Sequence, residues 1–280
     1  MTDTGTLPTL FFAHANGFPA GSYRQFLAPL ERKFRIVAPD ALGHNPDYPI
    51  APNWHGLADE LLDEIAADGS EKVVGVGHSL GGVLMFLAAL RQPRRFHAFV
   101  MLDPPILFGW PGVVAAAAKR LGTIDRLTPA GRTRGRRSWW PDRETALADF
   151  RGKPLFRRFT QACLRDYVDS GTVESEGGVR LRYDPDVEVE IFRHIPHALH
   201  REPAPVRVKG AILAARDGNV MRPGDLERMR RRHHLLVREV EGGHMFPMER
   251  PEGAAAELSE VIRTLLDQQR EQSPTFRGPS

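Results

Sequence analysis

The residues with the most chemical promise are a serine set between glycines, a histidine far downstream and two aspartates. Gly77-His78-Ser79-Leu80-Gly81 follows the apolar run Lys72-Val-Val-Gly-Val76 and precedes Val83-Leu-Met-Phe-Leu-Ala-Ala-Leu90. It therefore reads as a sharp turn from a buried strand into a buried helix, holding the serine out for nucleophilic attack. Side chains in place of Gly77 or Gly81 would crowd the backbones that meet there. The start of the following helix favours negative charge developing beside the serine. A serine hydroxyl needs a base to take its proton, and the base needs a carboxylate to hold its tautomer. His244, within Glu-Gly-Gly-His-Met-Phe-Pro, is the candidate base. Asp217, within Ala-Arg-Asp-Gly-Asn-Val, is the first choice of acid: the 27 positions from Asp217 to His244 suit one helix and one strand. Asp103, which closes the run Ala98-Phe-Val-Met-Leu102, is the alternative acid; otherwise it caps the turn before Pro104.

These groups need a scaffold that gathers them at one edge. The apolar runs at 10–13, 35–38, 72–76, 98–102, 210–215 and 235–240 are short and do not alternate, as strands buried on both faces do not. Helical patterns lie between them, at 22–30, 54–67, 80–90 and 223–232, and a last one starts near Pro251 and ends near Gln269. The alternation predicts an α/β fold whose parallel sheet carries helices on both faces. After Asp103, Pro104, Pro105 and Pro111 open a segment of nearly a hundred residues that Pro196, Pro203 and Pro205 close. It holds helical pieces at 112–121, 143–150 and 154–167 and a polar stretch at 169–179. No compact domain keeps a structureless loop of that length, so an inserted subdomain at 105–200 is expected between core segments 1–104 and 201–270. Residues 271–280 are expected to be a disordered tail.

The chain resembles the α/β-hydrolase superfamily, in particular bacterial members with a His-Ala-Asn-Gly turn, over about 9–265. Besides the serine turn, the matching motifs are Phe12-Ala-His-Ala-Asn-Gly-Phe-Pro-Ala-Gly21, Ala38-Pro-Asp-Ala-Leu-Gly-His44, Leu102-Asp-Pro104 and Gly242-Gly-His-Met-Phe-Pro247. The order Ser79, Asp217, His244 is that of the superfamily, and the insert after Asp103 matches its cap. The resemblance implies an oxyanion hole from the backbone N–H groups of Leu80 and Asn16. Two features depart from the common pattern. Only about eight residues precede the first strand, so six parallel core strands are expected, and Ala15 stands where glycine is usual. The implied activity is cleavage of a small-molecule carboxylic ester through an acyl-serine intermediate, without cofactor or metal. The same triad could act on thioesters, lactones or C–C bonds of diketones, or in perhydrolysis. A non-catalytic ligand receptor on the same fold is the alternative from a different class. Phe18, Trp139, Trp140 and Met245 are candidate substrate-binding residues.

Composition narrows the rest. Of 280 residues, 41% are hydrophobic and 26% charged, which is ordinary globular usage. A formal charge of +3 argues against a dedicated nucleic-acid surface. The lone Cys163 excludes an internal disulfide and fits a reducing, cytoplasmic setting. No leader pattern opens the chain, and no apolar run is long enough to span a membrane. His194, His197 and His200 lack metal-site spacing, since Pro196 interrupts them. Six arginines between Arg120 and Arg137 read either as a solvated or ion-paired surface or as a grip for an acidic substrate group. Oligomeric state is not encoded in any motif.

Overall fold

A computed structural model describes residues 7–272. Its core strands are β1 (Thr9–Ala13), β2 (Arg35–Val37), β3 (Val73–His78) and β4 (Phe96–Leu102). An insertion contributes β5 (Trp139–Trp140), β6 (Thr172–Ser175) and β7 (Gly178–Leu181), and the core resumes with β8 (Gly210–Ala215) and β9 (Leu236–Val240). The six core strands lie in the order β2-β1-β3-β4-β8-β9 and all pair in parallel, as expected. β1 and β3 are buried along their whole length, which is why their sequences are unbroken apolar runs.

The principal helices are α1 (His55–Ala67), α2 (Leu80–Arg91), α3 (Trp110–Arg120), α4 (Arg143–Gly152), α5 (Gln161–Gly171), α6 (Pro185–Arg193), α7 (Pro223–His233) and α8 (Pro251–Gln272). Nearly every side chain of α2 is buried, matching its uniformly apolar sequence. Side-chain caps start three helices of the insertion: Asp142 accepts from the Thr145 amide, Thr160 from the Cys163 amide and Asp184 from the Asp186 amide. The stretch at 22–30 is a succession of short turns, Ala20–Tyr23, Arg24–Leu27 and Ala28–Leu30, rather than one helix. Pro29 has no amide to continue an α-helical ladder there. The polar stretch near 169–179 is the end of α5 plus a hairpin, which pairs with β5 in a three-stranded antiparallel sheet.

The insertion shares one hydrophobic core with the strands. Trp140, Phe150, Phe156 and Tyr167 belong to the same buried cluster as Leu10, Phe12 and Val76. The last helix runs to Gln272, so 271–272 are helical, and the remainder of the expected tail, 273–280, lies outside the described residues. Among the described residues no helix is long and apolar enough to cross a membrane.

Candidate active site

Register brings the chemistry together. His78 of β3 pairs with Leu102 of β4, so the next residues, Ser79 and Asp103, leave the sheet at the same level of its carboxyl edge. The Ser79 amide donates to the Leu102 carbonyl (2.9 Å) and the Asp103 amide to the Leu213 carbonyl (2.8 Å), pinning both corners. Both residues have positive φ, +53° at Ser79 and +41° at Asp103, which L-residues rarely adopt. Glycine is obligatory beside the serine: a Cβ at Gly77 would sit 2.1 Å from the Gly81 carbonyl oxygen, and one at Gly81 2.1 Å from that of Ala13.

His244 bridges the two corners. Its Nδ1 lies 2.6 Å from Asp103 Oδ2 and its Nε2 3.1 Å from Ser79 Oγ. A carboxylate only accepts, so Nδ1 carries the proton and Nε2 presents a lone pair to the serine hydroxyl. Asp103 is 1% exposed, and its other oxygen accepts from the Ala215 amide at 3.1 Å.

The expectation that Asp217 stands behind His244 is not met. Leu102 pairs with Leu213, so Asp103 is one residue beyond that level whereas Asp217 is four beyond. Asp217 turns outward, 51% exposed, and binds Arg158 at 3.0 Å. Arg158 in turn holds Glu249 (3.0 Å), whose carboxylate accepts from the Gly243 amide at 2.8 Å.

A buried chain of hydrogen bonds, absent from the sequence reading, ties the two loops around the serine together. His78 Nε2 is 2.8 Å from the His244 carbonyl oxygen, so it must donate, and its Nδ1 accepts from the Tyr23 hydroxyl at 2.7 Å. The Tyr23 oxygen accepts from the Ala15 amide at 3.1 Å. Tyr23 and His78 are both fully buried. Burial, with the neighbouring His244, pushes the His78 pKa down to about 3, which keeps the ring in the neutral form that this pattern needs. His14 is similarly buried and depressed to about 4; it donates from Nδ1 to the Ala15 carbonyl and accepts at Nε2 from the Leu42 amide. His78 was legible only as part of the Gly-x-Ser-x-Gly pattern, and nothing in the sequence singles out Tyr23.

The other sequence-derived residues divide. Among the described residues the amides of Asn16 and Leu80 have no acceptor, whereas the Ala15 amide is taken by Tyr23. The Asn16 side chain points to α6, where its Nδ2 donates to the Glu188 carbonyl at 3.0 Å. Phe18 packs against Phe156, Phe159 and Tyr167, and Met245 is buried beside His244 in the same cluster. The two tryptophans are not a substrate cage. Trp140 is core, tilted at 44° against Phe150 and donating to Asp149, and Trp139 is exposed with its indole N–H on the Glu176 carbonyl.

Among the arginines, Arg134 pairs with Asp125 and Arg137 lies over Trp140. Arg136 turns inward, to Glu188, whose carboxyl burial pushes up to about 7. Among the described residues no group of three or more His, Cys, Asp or Glu side chains is placed to hold a metal ion.

Comparison with known proteins agrees with this architecture. Residues 10–257 match the alpha/beta hydrolase family. Lipase LipV of Mycobacterium tuberculosis is 37% identical over 119 residues, which are 41% of this chain and 44% of that protein. Epoxide hydrolase A of the same organism is 31% identical over 107 residues, 36% of this chain and 33% of that one. These matches thus span less than half of either relative. The crystal structure of E-2-(acetamidomethylene)succinate hydrolase superposes with a TM-score of 0.73 at 20% identity, covering 92% of each chain. The peroxisomal alpha-beta-hydrolase Lpx1 of Saccharomyces cerevisiae also gives 0.73, at 16% identity, over 100% of this chain and 82% of that one. With the family match extending from β1 into the last helix, the chain belongs to the alpha/beta hydrolase family.

Proposed function

We propose that the protein cleaves small-molecule carboxylic esters through an acyl-serine intermediate, using Ser79, His244 and Asp103. What carries the reading is the pair of contacts on His244, 2.6 Å to Asp103 and 3.1 Å to Ser79. Ser79 Oγ attacks the ester carbonyl carbon as its proton passes to His244 Nε2. Asp103 stabilises the imidazolium so formed and fixes its tautomer. The Leu80 and Asn16 amides hold the carbonyl oxygen as it becomes negative; removing such a donor typically costs about 3 kcal/mol of transition-state stabilisation. Collapse breaks the C–O bond, and the departing alkoxide takes the proton from His244. Water then attacks the acyl group, delivers a proton to His244 and releases the acid, and Ser79 recovers its proton. The insertion at 105–200 acts as a cap, because α6 leans on the Asn16 loop through Glu188. Lipase chemistry named for one relative fits this reading, and no residue of the triad favours thioesters or lactones over esters.

A fluorophosphonate probe should label the wild-type protein and leave Ser79→Ala unlabelled. A panel of p-nitrophenyl esters of increasing acyl length, assayed beside thioesters and lactones, would show hydrolysis fastest on the esters. Labelling of Ser79→Ala, or turnover confined to thioesters or lactones, would refute the proposal as stated.

A further inference from the structure

We propose that one face of the insertion docks on an anionic phospholipid surface. Seven large apolar side chains are exposed among the described residues, and four of them fall within one short stretch of sequence: Trp110 (76%), Val113 (55%), Leu121 (76%) and Leu127 (58%). Three belong to α3 or its last turn, at spacings that share one helical stripe with the exposed Ala117. The opposite face carries small residues. Gly112, Ala115 and Ala118 are buried, and Ala115 and Ala118 join only Ile124 and part of Leu107 in a minor cluster apart from the main core. A surface helix ordinarily buries its large apolar residues and shows its small or polar ones. This one does the reverse, and an apolar stripe facing water marks a binding surface.

Charge identifies the occupant. From Pro104 to Ile124 the chain has no carboxylate, and Asp125 is held by Arg134 and Arg193. Arg120 and Arg126 are exposed at the far end of the stripe. At its near end Val113 also lines an open cavity of about 750 Å³ together with Phe108, Arg228, Arg231 and Arg232. Arg231 is committed to Glu227, but Arg228 has its carboxylate, Asp225, no nearer than 3.9 Å, and Arg232 donates to the carbonyls of His200 and Glu202. Arg120, Arg126 and Arg232 thus have no carboxylate partner among the described residues, and Arg228 only one, at 3.9 Å. Apolar side chains flanked by such guanidinium groups suit a bilayer edge, where the first enter the acyl boundary and the second meet phosphate. A stripe one side chain wide and about 16 Å long is far below the ~800 Å² per partner of a stable protein interface. A second copy would also oppose Arg120 and Arg126 to cations of its own kind, because a two-fold interface is self-complementary.

The test is flotation of the full chain with vesicles of phosphatidylglycerol and phosphatidylcholine, against vesicles of phosphatidylcholine alone. Binding is expected only to the first, and to fall at least about tenfold in ~0.5 M NaCl. Trp110→Ala/Leu121→Ala and Arg228→Ala/Arg232→Ala should each weaken it at least about tenfold, with circular dichroism and Tm unchanged. Leu155→Ala, at an exposed leucine outside the stripe, should leave it intact. The proposal is overturned by failure to float with phosphatidylglycerol or by equal binding to both vesicles. Retention of binding in the two double variants overturns it too. So does a dimer in solution that Trp110→Ala/Leu121→Ala dissociates, or stabilisation by inorganic phosphate without vesicle binding.

Discussion

Asp103 and Asp217 both follow core strands at the same edge of one sheet, and β4 and β8 are neighbours. Their surroundings differ in every respect that matters to a carboxylate. Asp103 leaves its strand at φ +41°, is shut away from water, and has one oxygen on the Ala215 amide and the other on His244. Asp217 lies three residues higher in the register, is half exposed, and faces Arg158. A carboxylate that must orient an imidazole and stabilise its charge works best where water cannot compete for it. One in solvent, beside a guanidinium, contributes little to either task. The comparison teaches that following a strand is not enough: the register of that strand and the backbone angle of the next residue decide which aspartate reaches the histidine.

The sharpest way to break this comparison is a pair of isosteric substitutions. Asp103→Asn should lower kcat on a p-nitrophenyl ester about 10³- to 10⁴-fold, because the amide holds His244 in the wrong tautomer. Asp217→Asn should change it by less than about threefold, since only an exposed ion pair is lost. The reverse ranking in one assay would return the acid to Asp217.

The sequence made most of the fold legible, for a physical reason. Strands buried on both faces must be apolar throughout, and α2, buried all round, has no polar face to mislead. Ser79 and His244 were legible because the glycines around the serine and the short loop after β9 leave few alternatives. The acid was not, because both aspartates satisfy the same local rule and strand register is a property of pairing between distant segments. The antiparallel sheet of the insertion escaped for a related reason. β5 is a two-residue strand, Trp139–Trp140, stabilised by pairing with Val179 and Arg180 some forty positions away. Tyr23 escaped because its role is set by His78 and Ala15 across the core.

The buried histidines sharpen the contrast between the closed and the open corner in their effect on stability. His14 and His78 are neutral in the fold, with pKa values lowered to about 4 and about 3 by burial. The unfolded chain takes up a proton on each near pH 6.5, so it binds more protons than the native state between about pH 6.5 and those lower values. Their stabilisation is therefore complete above pH 6.5 and lost as pH falls through that window. Each histidine should contribute a fall in the urea midpoint equivalent to about 2 kcal/mol at about pH 5, against an opposing gain from the Glu60 and Glu188 carboxyls, which burial raises to about 7. His78→Gln, which keeps a donor for the His244 carbonyl, should therefore be more stable relative to wild type at pH 5 than at pH 7; a difference from wild type that does not change with pH would remove His78 from this account.

Tyr23→Phe probes the link between the loops. It deletes the acceptor of the Ala15 amide and the donor to His78 at almost constant volume. Leaving those buried groups unpaired should cost about 1–3 kcal/mol of stability. With the Asn16 loop and His244 less well registered, kcat should fall about tenfold while KM moves less than about twofold. A rise in KM at constant kcat would mean that Tyr23 shapes the pocket and leaves the catalytic groups alone.

The smallest effect belongs to the outer corner, and it separates two partners of one arginine. Arg158 has similar distances to Asp217 and Glu249, 3.0 Å each, but Asp217 is half exposed and Glu249 nearly buried. Solvent screens the first pair, so Asp217→Ala should cost no more than about 0.5 kcal/mol in urea unfolding. Arg158→Ala should cost more, about 1 kcal/mol, because Glu249 loses its cation while remaining fixed on the Gly243 amide. High salt should erase most of the Asp217 effect and less of the Arg158 effect, since a buried partner is screened less. Equal losses in the two variants, with equal salt dependence, would show that Glu249 gains nothing from Arg158. The outer corner would then be an ordinary surface ion pair, with no part in holding the loop that carries His244.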